Sequence, residues 1–385
     1  MNKKIIRITT VPLALRYLLT GQMKFLKENG FEVVMISAEG TGLDEVIASE
    51  GCRHIVVPMT RTISPVQDMK CLIQMIKIFK KERPNIVHTH TPKAGLIGML
   101  AAKICGVKFR IHTIAGLRFV TSEGSTRKIL IAMEKLTALS ATHVWPNSFS
   151  LLQTVKKYKL SPASKLKVIA SGSSNGINLN RFSVNSIEPG KLEEVKKLLL
   201  YDPALQYLLF VGRIVKDKGV EELLDIFARL YEKNEKLRLV LVGSFEEKLD
   251  PLNERAMKIL SGHPGLIQIS WSNEVEYFMS LSDLLIHPSY REGFPNVLLQ
   301  AGAMKCPVIC SQIEGNIDVV EHLKTGLLFQ PGNREDLFEK MSFALENMQL
   351  MKNNANILFE KVHTHFDQKI IQQKLLEEYN FLITG

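Results

Sequence analysis

The chain has 385 residues, 45% hydrophobic and 23% charged, a globular mixture that excludes disorder, collagen and coiled coil as descriptions of the whole chain. The length points to two domains of ordinary size. The net charge of +10 is unevenly placed: residues 1–178 carry 26 Lys/Arg against 10 Asp/Glu (+16), and the rest carry 23 against 29 (−6), so the two halves face different partners.

The N-terminal stretch Met1–Thr10 has no long apolar segment or cleavage site and reads as a first strand over Ile5–Ile8, not as a signal peptide. Further strands are predicted over 31–37, 54–57, 85–88, 109–113, 142–146 and 166–170. Helices fall between them, over 21–28, 68–81, 95–104 and 127–140. Strands as apolar as FEVVMIS, alternating with helices, predict a parallel sheet covered on both faces. The second half repeats the pattern, with strands over 207–211, 237–242, 267–269, 284–287, 307–310 and 326–329. Its helices are predicted over 220–233, 251–260, 274–282, 296–304, 317–322 and 334–347. The fold class is therefore α/β, with two doubly wound Rossmann-like units in sequence. The polar stretch Ser171–Asn180 marks the join, giving domains of 1–178 and 179–363. The tail over 368–381 is amphipathic.

The longest uncharged apolar stretch in the front half, Ala94–Ala102, is far short of the roughly 20 residues that span a bilayer. The five cysteines are scattered, with no CxxC pair, so neither a disulfide framework nor a zinc site is expected. Cys306 and Cys310 read as core or near-core thiols. A cytoplasmic protein is expected.

GxxxxGK[ST] and GxGxxG after the first strand are missing, which disfavours a P-loop NTPase and a nicotinamide-binding unit. Two loops at strand C-terminal ends remain. In Gly212-Arg213-Ile214-Val215-Lys216-Asp217-Lys218-Gly219, Gly212 lets the chain leave its strand tightly. Arg213 and Lys218 place cations beside a helix N-terminus, as a diphosphate clamp or as a solvated basic loop. In His287-Pro288-Ser289-Tyr290-Arg291-Glu292-Gly293-Phe294-Pro295-Asn296, Pro295 is expected in the first turn of the next helix, where its missing N–H costs nothing. Gly293 and Phe294 then present backbone N–H groups. Glu292 is an acceptor for sugar hydroxyls or a helix-end carboxylate, and Gln300 shares a helix face with Asn296.

Together, in this order, GRxxxxKG and EGFPNVLLxA resemble the GT-B glycosyltransferases of family 4. Asn175-Gly176-Ile177-Asn178 with Arg181-Phe182, Val242-Gly243 and Gly326-Leu327-Leu328-Phe329 extend the resemblance over nearly the whole chain. It implies two Rossmann-like domains facing a central cleft, the first binding the acceptor and the second the nucleotide-sugar donor. It also implies a C-terminal helix, 364–385, packing back on the first domain. Retaining transfer from a nucleotide diphosphate, with UDP as the expected nucleotide, follows, with neither a metal nor another cofactor. Arg213 and Lys218 would neutralise the departing diphosphate, and Glu292 would hold the sugar. The donor site would further comprise Gly212, Gly243, Ser244, Ser289, Gly293, Phe294, Pro295, Asn296 and Gln300. Gln300 stands where the family has a second Glu, and Ala115 stands where it has a His.

On the acceptor side the candidates are His88, His90, Lys93, His112 and Arg118. His88 and His90 share a strand face, but no third metal ligand is evident. HTHTPKAGLIGMLAAK, IHTIAGLRF and REGFPNVLLQAGAM are similar to bacterial members that build capsule, O-antigen or lipid-linked oligosaccharide. These imply a polyprenyl-diphosphate-linked sugar as acceptor and a peripheral position on the inner face of the cytoplasmic membrane. The basic front half suits an anionic membrane surface. Lys70, Lys77, Lys80, Lys81, Lys103, Lys108, Arg118, Arg127 and Lys128 are candidate contacts. Alternatives are a sugar-nucleotide 2-epimerase of the same fold and a non-catalytic protein that binds anionic lipid or nucleic acid. With 7% aromatic residues and no recognition motif, no nucleic-acid partner is expected.

Overall fold

The computed structural model describes residues 3–246 and 250–384. Met1 and Asn2, in the N-terminal stretch read above, and Gly385, at the end of the expected C-terminal helix, lie outside the described residues.

The front sheet contains β1 (Lys3–Ile8), β2 (Phe31–Ser37), β3 (Arg53–Val56), β4 (Ile86–Thr89), β5 (Phe109–Ile114) and β6 (His143–Pro146). They pair in parallel in the order β3-β2-β1-β4-β5-β6. Ile5, Ile6 and Ile8 of β1 are all buried, because a strand covered by helices on both faces has no solvent side. The helices Pro65–Glu82 and Pro92–Ile104 both begin with Pro, which tolerates the first turn. The stretch 166–170, predicted as a strand, makes a single bridge, Leu166 to Val144. The chain then leaves the sheet at Ala170, whose φ is +49°.

The back sheet contains β7 (Gln206–Val211), β8 (Leu237–Val242), β9 (Leu266–Ile269), β10 (Leu284–His287), β11 (Val308–Ser311) and β12 (Leu327–Phe329). Its order, β12-β11-β10-β7-β8-β9, is the front topology again, and its ladders are parallel. Each is the doubly wound arrangement in which ligands bind beyond the strands' carboxyl ends, where the winding direction reverses. Those switch points lie between β1 and β4 and between β7 and β10.

The chain divides into two units, Met1–Gly176 with Gln368–Gly385 and Ile177–Asp367. The helix Gln368–Thr384 belongs to the front unit, where Ile371, Leu375, Leu376 and Tyr379 bury their side chains. All five cysteines are free, and Cys306 and Cys310 are buried. Among the described residues no helix is long and apolar enough to cross a membrane.

Candidate active site

The two motif loops emerge side by side at the back switch point. The first leaves β7 and turns through Lys216–Lys218 into the helix Val220–Tyr231. The second leaves β10 and enters the helix Asn296–Ala303. Pro295 is the residue before that helix, one position earlier than predicted, and Gly293, Phe294 and Pro295 are buried. Gly219 lets the loops touch: its φ is +70°, and a Cβ there would lie 2.2 Å from the Pro288 carbonyl oxygen. A Cβ on Gly243 would lie 1.8 Å from the Gly212 carbonyl oxygen, so the ends of β7 and β8 also approach too closely for a side chain.

The Lys218 ammonium donates to Glu292 Oε1, and both side chains are largely buried. His287 Nε2 lies 3.1 Å from the same oxygen. Burial pushes the Glu292 carboxyl up, but Lys218 and His287 outweigh it and hold the group well below the usual carboxylate range. Glu292 is therefore an ionised, acceptor-only group at neutral pH.

Arg213 pairs with Glu246 at 2.6 Å, and Arg291 pairs with Asp217 at 2.6 Å. The backbone N–H of Tyr290 donates to the Asp217 carbonyl, and the Tyr290 hydroxyl donates to Glu222 at 2.7 Å. His287, Arg291, Asp217 and Glu246 were not among the predicted site residues. His287 and Arg291 do lie inside the second loop, and Asp217 inside the first.

Gly212 and Arg213 are half-buried, and Ser244 is exposed beyond β8. Asn296 and Gln300 are both half-buried on the helix Asn296–Ala303. Ser289 sits deeper than its neighbours in the loop. It is fully buried and its hydroxyl donates to the Arg291 carbonyl at 3.1 Å, a contact that braces the loop. The β11 side supports the same loop: Ser311 donates to the Ser289 carbonyl, and Asn316 Nδ2 donates to the Ser311 carbonyl at 2.9 Å.

In the front unit, the structure commits three of the five acceptor-side candidates to internal contacts. His88 Nδ1 lies 2.5 Å from the Tyr379 hydroxyl, and Nε2 lies 2.7 Å from Thr113 Oγ1. Tyr379 also accepts from Arg7, which is fully buried and donates to Gln22 as well. Lys93 binds both carboxylate oxygens of Asp68, at 2.7 and 2.9 Å. His112 Nδ1 lies 2.8 Å from Thr89 Oγ1, and its ring packs against Gly95. Burial keeps His88 and His90 well below their ordinary pKa and lowers that of His112 to about 4.

The His90 ring packs against His88, tilted by 33°, with centroids 4.1 Å apart. It lines a cavity of about 20 Å³ with Gln22, Trp145 and Asn147, water-sized and too small for a sugar. Arg118 is exposed, in the short turn Arg118–Thr121 after β5. Both ring nitrogens of His88 are thus engaged by side chains of the front unit. Among the described residues no group of three His, Cys, Asp or Glu side chains is placed to hold a metal.

Residues 8–148 match the family model described as "Glycosyl transferase 4-like", and residues 193–357 match "Glycosyl transferases group 1". The chain is 34% identical to the capsular polysaccharide biosynthesis glycosyltransferase CapM of Staphylococcus aureus, over 98% of this chain and 97% of that protein. It is 27% identical to the UDP-Gal:alpha-D-GlcNAc-diphosphoundecaprenol alpha-1,3-galactosyltransferase of Escherichia coli, over 80% of this chain and 79% of that one. Among solved structures, a glycosyltransferase from Rickettsia africae ESF-5 superposes with a TM-score of 0.81 at 21% identity, covering 100% of this chain and 99% of that one. The doubled six-strand topology, the paired motif loops and these full-length matches agree: the chain belongs to the family 4 glycosyltransferases of GT-B fold and is a glycosyltransferase.

Proposed function

We propose that the protein is a retaining glycosyltransferase of surface-polysaccharide assembly. It moves a sugar from a nucleotide diphosphate, UDP in this reading, to a saccharide carried on a polyprenyl diphosphate. The observation that carries the reading is the meeting, at one switch point, of Arg213 and Lys218 with Glu292 and the loop Gly293–Pro295. Two cations, two backbone donors and one ionised acceptor suit a sugar diphosphate. The relatives support it further, since the printed name of the E. coli enzyme includes both UDP-Gal and a diphosphoundecaprenol acceptor.

In this reading the bond from the anomeric carbon to the β-phosphate oxygen breaks. The acceptor hydroxyl oxygen bonds that carbon from the same face. The hydroxyl proton passes to the departing phosphate, and the nucleotide diphosphate leaves with its charge neutralised by Arg213 and Lys218. Glu292 orients the sugar hydroxyls, Gln300 accepts from the ribose, and Gly243 and Ser244 border the base. The acceptor approaches the carboxyl edge of the front sheet, where Arg118 is the exposed cation. Charge neutralisation rests on the side-chain cations, so activity is expected to persist in a chelator. The protein is assigned to the cytoplasmic face of the membrane that carries its acceptor.

A thermal-shift screen of nucleotide sugars followed by transfer assays with lipid-linked acceptors tests the reading, since a bound donor raises the unfolding temperature. Near-normal turnover in both Arg213→Ala and Lys218→Ala would refute the assigned roles.

A further inference from the structure

Asp217 and Lys218 are consecutive in the first motif loop, and Arg291 and Glu292 are consecutive in the second. Asp217 pairs with Arg291, and Lys218 pairs with Glu292. Each partner lies 74 positions further along the chain, so the two ion pairs are neighbours in one register with opposite polarity. A slip of one residue between the loops would set Asp217 against Glu292, or Lys218 against Arg291. Like charges would then meet in a half-buried setting, where their repulsion is weakly screened.

Asp217 is held through all three of its polar groups. Its N–H donates to Asp250 Oδ2 at 2.7 Å, its carbonyl accepts from the Tyr290 N–H at 3.0 Å, and its carboxylate accepts from Arg291 Nη2 at 2.6 Å. On the other side, the Arg291 carbonyl accepts from the buried Ser289 hydroxyl, and the Ser289 carbonyl accepts from Ser311 of β11. The second loop is thus anchored to its own sheet, and the first is tied to it through Asp217. The Tyr290 hydroxyl adds a further tie, to Glu222 in the first turn of the helix Val220–Tyr231.

The two ion pairs meet different fates when a sugar diphosphate enters. In the proposed function Lys218 turns to the diphosphate and Glu292 to the sugar, so their pair opens. Neither Asp217 nor Arg291 has a role in holding the donor, and their pair stays closed. Resting on that reading of the donor site, we propose that Asp217 and Arg291 are positioning residues, whose pair keeps the two donor loops in register after the donor has separated Lys218 from Glu292. Without it the ammonium and the carboxylate would meet the donor from loops that can shift against each other, and a misplacement of about 1 Å can cost on the order of a hundredfold in rate.

Two neutral variants test this, because they change the local charge in opposite directions. Asp217→Asn removes a negative charge beside the diphosphate site, and Arg291→Gln removes a positive one. Positioning predicts losses of the same sign. In each variant kcat should fall about tenfold to a hundredfold, and donor KM should change less than kcat. Asp217→Asn/Arg291→Gln should be no worse than either single variant, since both remove the same contact. Arg291→Lys should keep most of the turnover, because a terminal nitrogen makes the pair and Nε has no hydrogen-bond partner among the described residues. If Asp217→Asn binds UDP more tightly by titration calorimetry and turns over faster, while Arg291→Gln does the opposite, the local field acts and the proposal is overturned. Normal kcat in both variants with only a lower melting temperature would overturn it as well.

A second measurement needs no donor. Thermal unfolding of Lys218→Met, Glu292→Gln and the double variant gives the coupling between those two side chains, and this coupling should shrink in the Arg291→Gln background. Unchanged coupling would remove the register role and leave the donor site standing. Shrunken coupling in an enzyme whose wild type binds neither UDP nor any UDP-sugar would uphold the register role and remove the donor reading.

Discussion

Lys218→Met removes the ammonium that holds Glu292. The two side chains are 17% and 15% exposed, so solvent screens the pair little. Removing one partner of such a pair costs ~3–5 kcal/mol. His287, 3.1 Å from Glu292, remains and keeps the expected loss near the lower end, about 3 kcal/mol. For a unit of this size each kcal/mol is worth about 2–4 °C, so the back unit should melt roughly 6–12 °C lower. The pH dependence carries the sign. In the wild type the depressed Glu292 contributes stability that is complete above its unfolded pKa and is lost as pH falls through the folded value. Without Lys218 the buried carboxylate is disfavoured, its folded pKa rises, and the variant loses stability as pH rises from the unfolded value. The gap between wild type and variant should therefore be widest at about pH 8, smaller at about pH 5 where the variant's carboxyl protonates, and should close only well below about pH 4, where the wild-type contribution is lost as well. Thermal unfolding followed by circular dichroism measures it. Lys218→Met/Glu292→Gln, with both charges gone, should recover most of the stability and none of the turnover. A double variant as unstable as the single one, or a gap that does not change with pH, would refute the pairing as the source of the effect.

The other predictions concern the same loops, a helix of the back unit and the front unit. Glu246 sits on Arg213 where a donor phosphate is proposed to bind. Glu246→Gln should thus tighten donor binding up to about fivefold by titration calorimetry, the worth of a half-exposed pair; weaker binding would refute the competition. Gly219→Ala meets both a positive φ and the Pro288 carbonyl, and should cost about 2 kcal/mol or more and most of the turnover. Gly190→Ala, with open space around it in the helix Pro189–Leu199, should be neutral or stabilising by about 1 kcal/mol. His88→Ala should lower the melting temperature and leave the acceptor KM of the folded enzyme unchanged. Arg118→Ala should do the reverse, and the opposite pattern would exchange their roles.

The strands were legible where both faces are buried, as in Phe31–Ser37, because a continuous apolar run needs no phase. Helices were lost where punctuation was weak. Pro12–Leu18 and Leu43–Glu50 are short, with few buried positions, and Met348–His365 follows Arg334–Glu346 with only Asn347 between them. The single bridge at Leu166 looked like a strand because LKVIA is apolar enough to be one. In the site, each motif was readable because its residues lie within one loop. Their cross-connections were not. Lys218 meets Glu292 from 74 residues away, Glu246 belongs to no motif, and His88 is held by Tyr379 from the far end of the chain. A local pattern carries no information about a partner supplied by another strand or helix. For that reason His88, Lys93 and His112 looked free in the sequence and are engaged in the structure.

The central claim is tested most directly by product analysis. A donor chosen by thermal shift is incubated with a polyprenyl-diphosphate-linked saccharide in a chelator, and the new linkage is assigned by NMR. The account predicts one added sugar whose anomeric configuration matches the donor's, with turnover reduced on the order of a hundredfold to a thousandfold in Arg213→Ala. An inverted linkage, donor turnover that needs no acceptor, or undiminished turnover in Arg213→Ala would contradict it.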